Sequence, residues 1–241
     1  MRSLTRSCRV QTSRALALSL VSGAVAAAVL VAMNYLVTGP YVSELEFQYT
    51  DIKLAEGFYI EEDIESALQV QHFWRTGFPI IMGVGGGALV ALAYAKRDKG
   101  AFMIALSVAA AAWFSLYVMP ALKYPLVPDV LFDPAAAGQY TTLFAGYSTS
   151  SGLAALGTTI GFAQTGRKNW YFGAAGVYLA IVAGLYVVFP SLPEPEFYDM
   201  TLLGQWRSTT AAGMTAFWFT LGILAGTLLE REEKKGAGRG I

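Results

Sequence analysis

The residues best suited to chemistry form an acid-rich segment that is followed by the chain's only histidine. Four carboxylates, Glu61, Glu62, Asp63 and Glu65, lie close together, and His72 follows Glu65 by seven positions. On a helix His72 and Glu65 share a face, and imidazole with carboxylate suits divalent Co, Ni or Zn. These five residues are therefore the candidate metal ligands. The alternative is a solvated, acid-rich helix N-terminus.

Hydroxyl side chains form the second candidate constellation, and they lie in two otherwise apolar stretches. Hydroxyls can line a path for a partly hydrated ion without the cost of a buried charge. They also satisfy backbone carbonyls and pack like alanine between helices, and this alternative stays open. The candidate pathway residues are Ser148, Thr149, Ser151, Thr209 and Thr210.

Signatures of catalysis and of nucleotide binding are missing from the sequence. No nucleophile, base and orienting group occur at a recognisable spacing. The glycine-rich run Gly83–Gly87 lacks the Lys-Ser or Lys-Thr that completes a phosphate loop. Cys8 is the only cysteine, so neither an intrachain disulfide nor a Cys-pair zinc site can form. We expect no enzyme activity, no tightly bound cofactor and no nucleic-acid partner.

Six apolar stretches carry most of the chain, and each is about long enough to span a membrane. The protein is 55% hydrophobic with a mean hydropathy of +0.46, which is not typical of a soluble enzyme. A helix needs roughly 20 apolar residues to cross the hydrocarbon core. The first stretch is longer than the apolar region of a secretory signal, so we expect it to be retained. The stretches are Ala15–Val37, Gly77–Ala95, Ala101–Met119, Thr141–Ala163, Trp170–Phe189 and Ser208–Leu229.

The charge distribution orients these six spans. With the basic tail 1–14 in the cytoplasm, the inner segments hold 13 of the 17 Lys and Arg residues, as the positive-inside rule requires. Acidic residues have the opposite bias, and eight of the 17 lie between Glu44 and Glu65. The predicted fold is an all-α membrane protein, one polytopic domain over 1–241. Its six transmembrane helices form three outward-facing hairpins, with both termini cytoplasmic.

The first outer loop, 38–76, is acidic. Between Pro40 and Ile60 aromatic and acidic residues alternate, as they do from Glu44 to Tyr49, which predicts a short strand or an interfacial turn. Pro79, near the start of the second span, predicts a kink.

The other two outer loops, 120–140 and 190–207, are punctuated by proline. Proline fixes the backbone and disfavours helix in the residue before it, so we expect stiff, extended loops that cap the outer face. Arg75 and Arg207 precede even-numbered spans, and we expect them to hold this cap through ion pairs with acidic loop residues. The alternative is that they bind anionic lipid headgroups.

Each even-numbered span carries a Gly-x-x-x-Gly pair. Small residues four apart let helix backbones approach closely in lipid, where no hydrophobic force drives helices together. We therefore expect the three even-numbered helices to form an inner ring. The pairs are Gly83 with Gly87, Gly157 with Gly161, and Gly222 with Gly226.

The segment after the third span resembles a known family. Met119 to Pro125 reads Met-Pro-Ala-Leu-Lys-Tyr-Pro, and Asp133-Pro134 follows. This is similar to the Pro-x-Leu-Lys-Tyr-Pro segment of the CbtA family of cobalt transporter subunits. The Gln205–Ser208 segment before the last span adds to the resemblance. The motif residues are Pro120, Leu122, Lys123, Tyr124, Pro125, Asp133 and Pro134.

The resemblance implies a multi-pass protein of the prokaryotic cell membrane that takes part in cobalt uptake. It also implies a small, single-span, His-bearing partner of the CbtB type, which could supply imidazoles. The resemblance assigns no metal ligand to this chain, and Co²⁺ or another divalent cation would be cargo rather than cofactor.

Two functions agree with these observations. The first is the membrane subunit of a divalent metal uptake system, with cobalt as the expected metal and the acidic outer loops gathering the cation. The alternative is a non-transporting accessory subunit of a larger membrane complex. It is favoured because glycine faces also bind partner helices and because no ionisable group lies in the middle of any span.

Overall fold

All regular structure in the part of the chain that we describe is helical. The computed structural model describes residues 2–56, 72–95, 100–128, 134–165, 169–192 and 199–238, and no strand occurs among them. The α-helices are α1 (Arg2–Met33), α2 (Gly39–Glu56), α3 (Phe78–Ala95), α4 (Ala101–Trp113), α5 (Met119–Lys123), α6 (Pro134–Ala163), α7 (Trp170–Val188) and α8 (Met200–Gly238). Three π-helical turns interrupt them: π1 (Asn34–Thr38), π2 (Phe73–Gly77) and π3 (Phe114–Val118).

Five helical segments of the described chain are long and apolar enough to cross a membrane. They are Ser13–Gln48, Phe73–Ala95, Ala101–Lys123, Trp170–Val188 and Met200–Lys235. These segments contain four of the six predicted spans in full and all of a fifth except its last residue, Phe189. The remaining one, Thr141–Ala163, lies within the 30-residue helix α6, whose hydroxyl and glycine content lowers its apolarity. The number of spans and the cytoplasmic termini therefore stay predictions.

The segment from Gly39 to Glu56 is helical, so the expectation of a strand or turn at Glu44–Tyr49 is wrong. Val42 and Leu45 are buried, three positions apart, whereas Phe47 is 64% exposed. A strand would have placed Leu45 and Phe47 on the same face. The Gln48 amide also donates a hydrogen bond of 3.2 Å to the Glu44 carboxylate one turn earlier.

A π turn, π2, ends two residues before Pro79, and the kink predicted at Pro79 stays a prediction. Pro40 and Pro120 follow π1 and π3 at the same distance. A widened turn before each proline keeps the preceding carbonyls clear of the ring.

The contacts divide the chain into two compact units. The first comprises residues 1–41, 68–110 and 208–241, and the second comprises 42–67 and 111–207. Each has its own apolar core. The core of the first unit contains Ala15, Val90, Tyr94, Ala101, Ala105, Ala225 and Leu229.

Within the first unit, α1 and α3 touch through their backbones. A Cβ added to Gly87 would lie 2.6 Å from the Ser19 carbonyl oxygen, and one added to Gly83 would overlap the carbonyl of Gly23. The Gly-x-x-x-Gly pair of α3 therefore serves the close helix contact that its spacing predicts.

Helix α8 packs on α4 in the same manner. A Cβ at Gly222 would lie 2.9 Å from the Ala109 Cβ, and one at Gly226 would lie 2.9 Å from the Phe102 Cα. The last helix is thus fixed to α4 by its own glycine pair.

Candidate functional site

Only one of the five candidate metal ligands lies in the described part of the chain. His72 is exposed and immediately precedes π2. The other four, Glu61, Glu62, Asp63 and Glu65, lie outside the described residues. Among the residues that are described, no group of three His, Cys, Asp or Glu side chains could hold a metal ion. The metal site therefore stays a prediction.

Residues of the proline-rich motif after the third predicted span pack in the core of the second unit. Tyr124 is 1% exposed, and its hydroxyl donates a hydrogen bond of 2.7 Å to the Pro190 carbonyl. This bond joins the end of the third predicted span to the end of the fifth. Burial raises the pKa of Tyr124 above its ordinary value, because the charged phenolate is disfavoured away from water.

Lys123 strengthens the same junction. Its ammonium donates a hydrogen bond of 3.0 Å to the Ser191 hydroxyl and lies 4.5 Å from the centroid of the Tyr186 ring. The aromatic face attracts the cation, so Lys123 contacts both the loop and the end of α7.

The loop beyond the motif is fixed by two further side chains. The Tyr140 hydroxyl donates to the Pro125 carbonyl, and Arg207 Nε donates to the Leu126 carbonyl at 2.7 Å. Arg207 therefore contacts the proline-rich segment that follows the motif through a backbone carbonyl. Its expected ion pair stays a prediction.

The remaining motif residues differ in their environments. Pro120 is buried, whereas Leu122 is 61% exposed. Pro134 is the first residue of α6, and Asp133 lies outside the described residues.

Four tyrosines, Tyr124, Tyr140, Tyr147 and Tyr178, lie together in the core of the second unit. Tyr124 lies 6.0 Å, centroid to centroid, from both Tyr140 and Tyr147, and both pairs are edge-on. Tyr147 is fully buried, and Tyr178 shares a hydrogen bond of 2.9 Å with Ser151. Edge-on aromatic pairs with satisfied hydroxyls pack rigidly.

The candidate pathway hydroxyls serve several contacts. Ser148 donates a hydrogen bond of 2.8 Å to the Leu116 carbonyl, and Ser151 pairs with Tyr178, so both join α6 to neighbouring elements. Thr149 is exposed on α6, whereas Thr209 and Thr210 are partly buried on α8. Their assignment to an ion pathway stays a prediction.

The comparison with protein families agrees with this architecture. The sequence model of a family described as "Probable cobalt transporter subunit (CbtA)" matches residues 12–230. The chain belongs to the CbtA family. No curated protein and no solved structure matches it.

Membership in CbtA, together with the five apolar helices, makes this chain a multi-pass membrane protein and a transport subunit. A transporter subunit is not expected to be an enzyme. The word subunit also implies partner proteins in the membrane.

The glycine pair of α6 in this CbtA protein is not covered by another helix in the described part of the chain. Nothing described lies within 4 Å of a Cβ added at Gly157 or Gly161. The glycines line an open groove of about 340 Å³ together with Ala154, Thr158, Phe162, Thr165 and Ile181. The glycine pair of α6 therefore differs from those of α3 and α8, both of which are covered.

Sequence reasoning missed the tyrosine cluster and the role of Asn34. The tyrosines are spread between Tyr124 and Tyr178 without a common spacing, so no pattern pointed to one cluster. Asn34 donates to the Arg75 carbonyl at 3.1 Å. Pro79 could have indicated this contact, because proline has no amide hydrogen to donate to the Arg75 carbonyl, which is then left for another donor.

Proposed function

We propose that this CbtA protein is the membrane-embedded subunit of a cobalt uptake system in a prokaryotic cell membrane. The match to the family over residues 12–230 is the observation that carries this proposal. The cation is gathered by the acidic outer segment around Glu61, Glu62, Asp63 and Glu65, with His72 as an additional ligand. The excess of carboxylates in this segment supports the proposal, because a negative mouth raises the local concentration of cations.

The proposed topology has six spans, with both ends of the chain in the cytoplasm. Helix α6 contains the fourth of these spans, the one that is not among the five apolar segments. Its 30 residues correspond to about 45 Å of helix, more than the roughly 30 Å hydrocarbon core. It carries no Asp, Glu, Lys or Arg.

Thiol labelling tests this topology, because Cys8 is the only native cysteine. In intact spheroplasts we expect a membrane-impermeant maleimide not to label Cys8 of the wild-type protein. We also expect it not to label the single cysteine of the variant Cys8→Ser with Gly240→Cys. Leu122→Cys in the same background should react, because Leu122 is exposed at the outer end of a span. Labelling of the C-terminal cysteine alone would contradict the six-span topology and favour five spans.

Neutralising the acidic segment tests the proposed collector. In cells expressing the quadruple variant Glu61→Gln, Glu62→Gln, Asp63→Asn and Glu65→Gln, we expect initial cobalt uptake at sub-saturating concentration to fall by about tenfold. The deficit should shrink in high salt, because screening weakens long-range attraction in the wild type. Uptake of radioactive cobalt over the first minute provides the measurement.

Glu230→Gln, on the cytoplasmic side of the proposed topology, is the control. Glu230 forms an exposed ion pair with Lys234 at 3.0 Å, so its loss should leave uptake unchanged. Unchanged uptake in the quadruple variant would contradict collection by the acidic segment.

A non-transporting accessory role is the second candidate, and the open face of α6 favours it. The partner that we propose is a small single-span protein of the CbtB type. Among the described residues, the groove at Gly157 and Gly161 is the surface that we propose for its binding. Purified protein in liposomes separates the two roles. Cobalt entry that requires this chain and is not supported by the partner alone would exclude the accessory role.

A further inference from the structure

The three π turns of this protein occupy equivalent positions relative to proline. π1 ends at Thr38 before Pro40, π2 ends at Gly77 before Pro79, and π3 ends at Val118 before Pro120. Such turns are rare and often occur at functional sites. Their recurrence before three prolines indicates one physical cause.

That cause is the missing amide hydrogen of proline. In an α-helix the residue at each proline position would donate to the carbonyl four residues earlier, which is Arg75 for Pro79 and Leu116 for Pro120. The preceding turn instead widens, so that Phe78 N–H donates to Phe73 O and Met119 N–H donates to Phe114 O. The carbonyls of Arg75 and Leu116 lose their α-helical donor.

In the first unit Asn34 supplies the missing donor. Its side-chain amide lies 3.1 Å from the Arg75 carbonyl oxygen. Beside it, the Tyr35 and Thr76 hydroxyls are hydrogen-bonded at 3.0 Å. π1 and π2 are therefore joined directly, at the outer ends of α1 and α3.

In the second unit Ser148 has the same role. Its hydroxyl donates to the Leu116 carbonyl at 2.8 Å. One helical turn further along α6, Gly152 leaves space for the Leu116 side chain. Each compact unit thus contains one proline-freed carbonyl that is satisfied by a side chain from a neighbouring segment.

We propose that Asn34 and Ser148 are latches, and that π2 and π3 are the hinges that they hold closed. Side-chain hydrogen bonds between membrane helices are weak, so a latch can open without unfolding the helix pair. When it opens, the widened turn is free to bend. These turns are then where helices bend during transport, a step that rests on the proposed function.

A double-mutant cycle on purified full-length protein in nanodiscs tests the latch without reference to transport. Asn34→Leu should accelerate hydrogen exchange at the amides of Thr76, Gly77 and Phe78 by about three- to fifteenfold. In a Pro79→Ala background the same substitution should change exchange by less than about twofold, because the backbone amide of the new alanine supplies the missing donor. An equal acceleration in both backgrounds would overturn the latch.

Tyr35→Phe is the matched control. It removes the neighbouring bond to Thr76 but leaves the Arg75 carbonyl satisfied, so Pro79→Ala should not rescue its effect. Rescue of both variants would mean that Pro79→Ala merely stabilises the region, and would overturn the assignment of Asn34. If any variant at Asn34 fails to fold, Ser148→Ala with Pro120→Ala provides the same cycle in the second unit.

Cobalt uptake then tests the hinge. We expect the Pro79→Ala protein to fold. Its backbone amides at π2 should exchange hydrogen more slowly than those of the wild type, yet it should transport cobalt at less than about one-fifth of the wild-type rate. Wild-type uptake in Pro79→Ala would overturn the hinge while leaving the latch intact. If the wild-type protein itself moves no cobalt, the proposed function fails, and the exchange cycle still decides the latch.

Discussion

Replacing Gly83 with valine is expected to abolish the stable packing of α1 on α3. The added side chain would overlap the carbonyl oxygen of Gly23, and its Cβ would lie 3.0 Å from that of Ala27. Because the carbonyl is backbone, the two helices can relieve the overlap only by moving apart. Overpacking that displaces backbone costs about 3 kcal/mol or more. The thermal midpoint in mild detergent should fall by roughly 6–12 °C, with loss of monodisperse protein.

Gly85→Val is the matched control, with the same substitution on the same helix. No described atom lies within 4 Å of a Cβ at Gly85. We expect its thermal midpoint to stay close to that of the wild type, because a substitution without a contact changes stability by about 0.5 kcal/mol or less. Equal destabilisation by the two variants would contradict the α1–α3 contact as the cause.

The glycine pairs show how much of the helix packing can be predicted from residue spacing. All three predict a helix face that permits close approach, and two are confirmed by covering helices. Whether such a face is covered depends on the partner helix. Gly83 meets Gly23 and Gly222 meets Ala109, both small residues from distant parts of the chain. Gly157 has the same spacing but no described neighbour, and nothing in its own sequence distinguishes it.

The helix from Gly39 to Glu56 escapes sequence-based prediction for a local reason. Pro40 favours a break after the first span, and the alternation at Glu44–Tyr49 then suggests a strand. Proline is tolerated in the first turn of a helix, and π1 provides a widened turn before it. Helix therefore continues on both sides of Pro40, a result that depends on backbone geometry rather than on side-chain period.

Helix α6 shows a limit of a different kind. The sequence correctly predicts a long uncharged helix, but its serines, threonines and glycines make it less apolar than the five candidate spans. Two of these hydroxyls, on Ser148 and Ser151, are used in contacts with neighbouring elements. Their polarity is thus partly satisfied inside the protein, which a hydropathy sum does not register.

The proline-rich motif is recognisable as a pattern, but its physical role cannot be read from that pattern. Tyr124 donates to the carbonyl of Pro190, 66 residues away. A backbone carbonyl has no residue-specific signature, so a sequence cannot reveal which one a side chain will contact. Two of the motif residues identified by resemblance, Lys123 and Tyr124, join the segment after π3 to the segment after α7 in the structure.

Replacing Tyr124 with alanine is expected to loosen this junction severely. The ring is 1% exposed and contacts both Tyr140 and Tyr147 edge-on, while its hydroxyl satisfies the Pro190 carbonyl. Truncation of a buried aromatic side chain costs about 3–5 kcal/mol. The thermal midpoint should therefore fall by roughly 6–20 °C. Differential scanning fluorimetry in mild detergent provides the measurement.

Two controls separate the ring from the hydroxyl and from a general effect of losing tyrosine. Tyr124→Phe keeps the edge-on contacts but removes the donor to Pro190, so we expect a loss of about 0.5–1.5 kcal/mol. Tyr171→Ala truncates an exposed tyrosine on α7 and should change stability by about 0.5 kcal/mol or less. If Tyr124→Ala were no more destabilising than Tyr171→Ala, the cluster would not hold the two proline-rich segments together. The motif would then need an explanation outside the fold, such as contact with a partner subunit at the exposed Leu122.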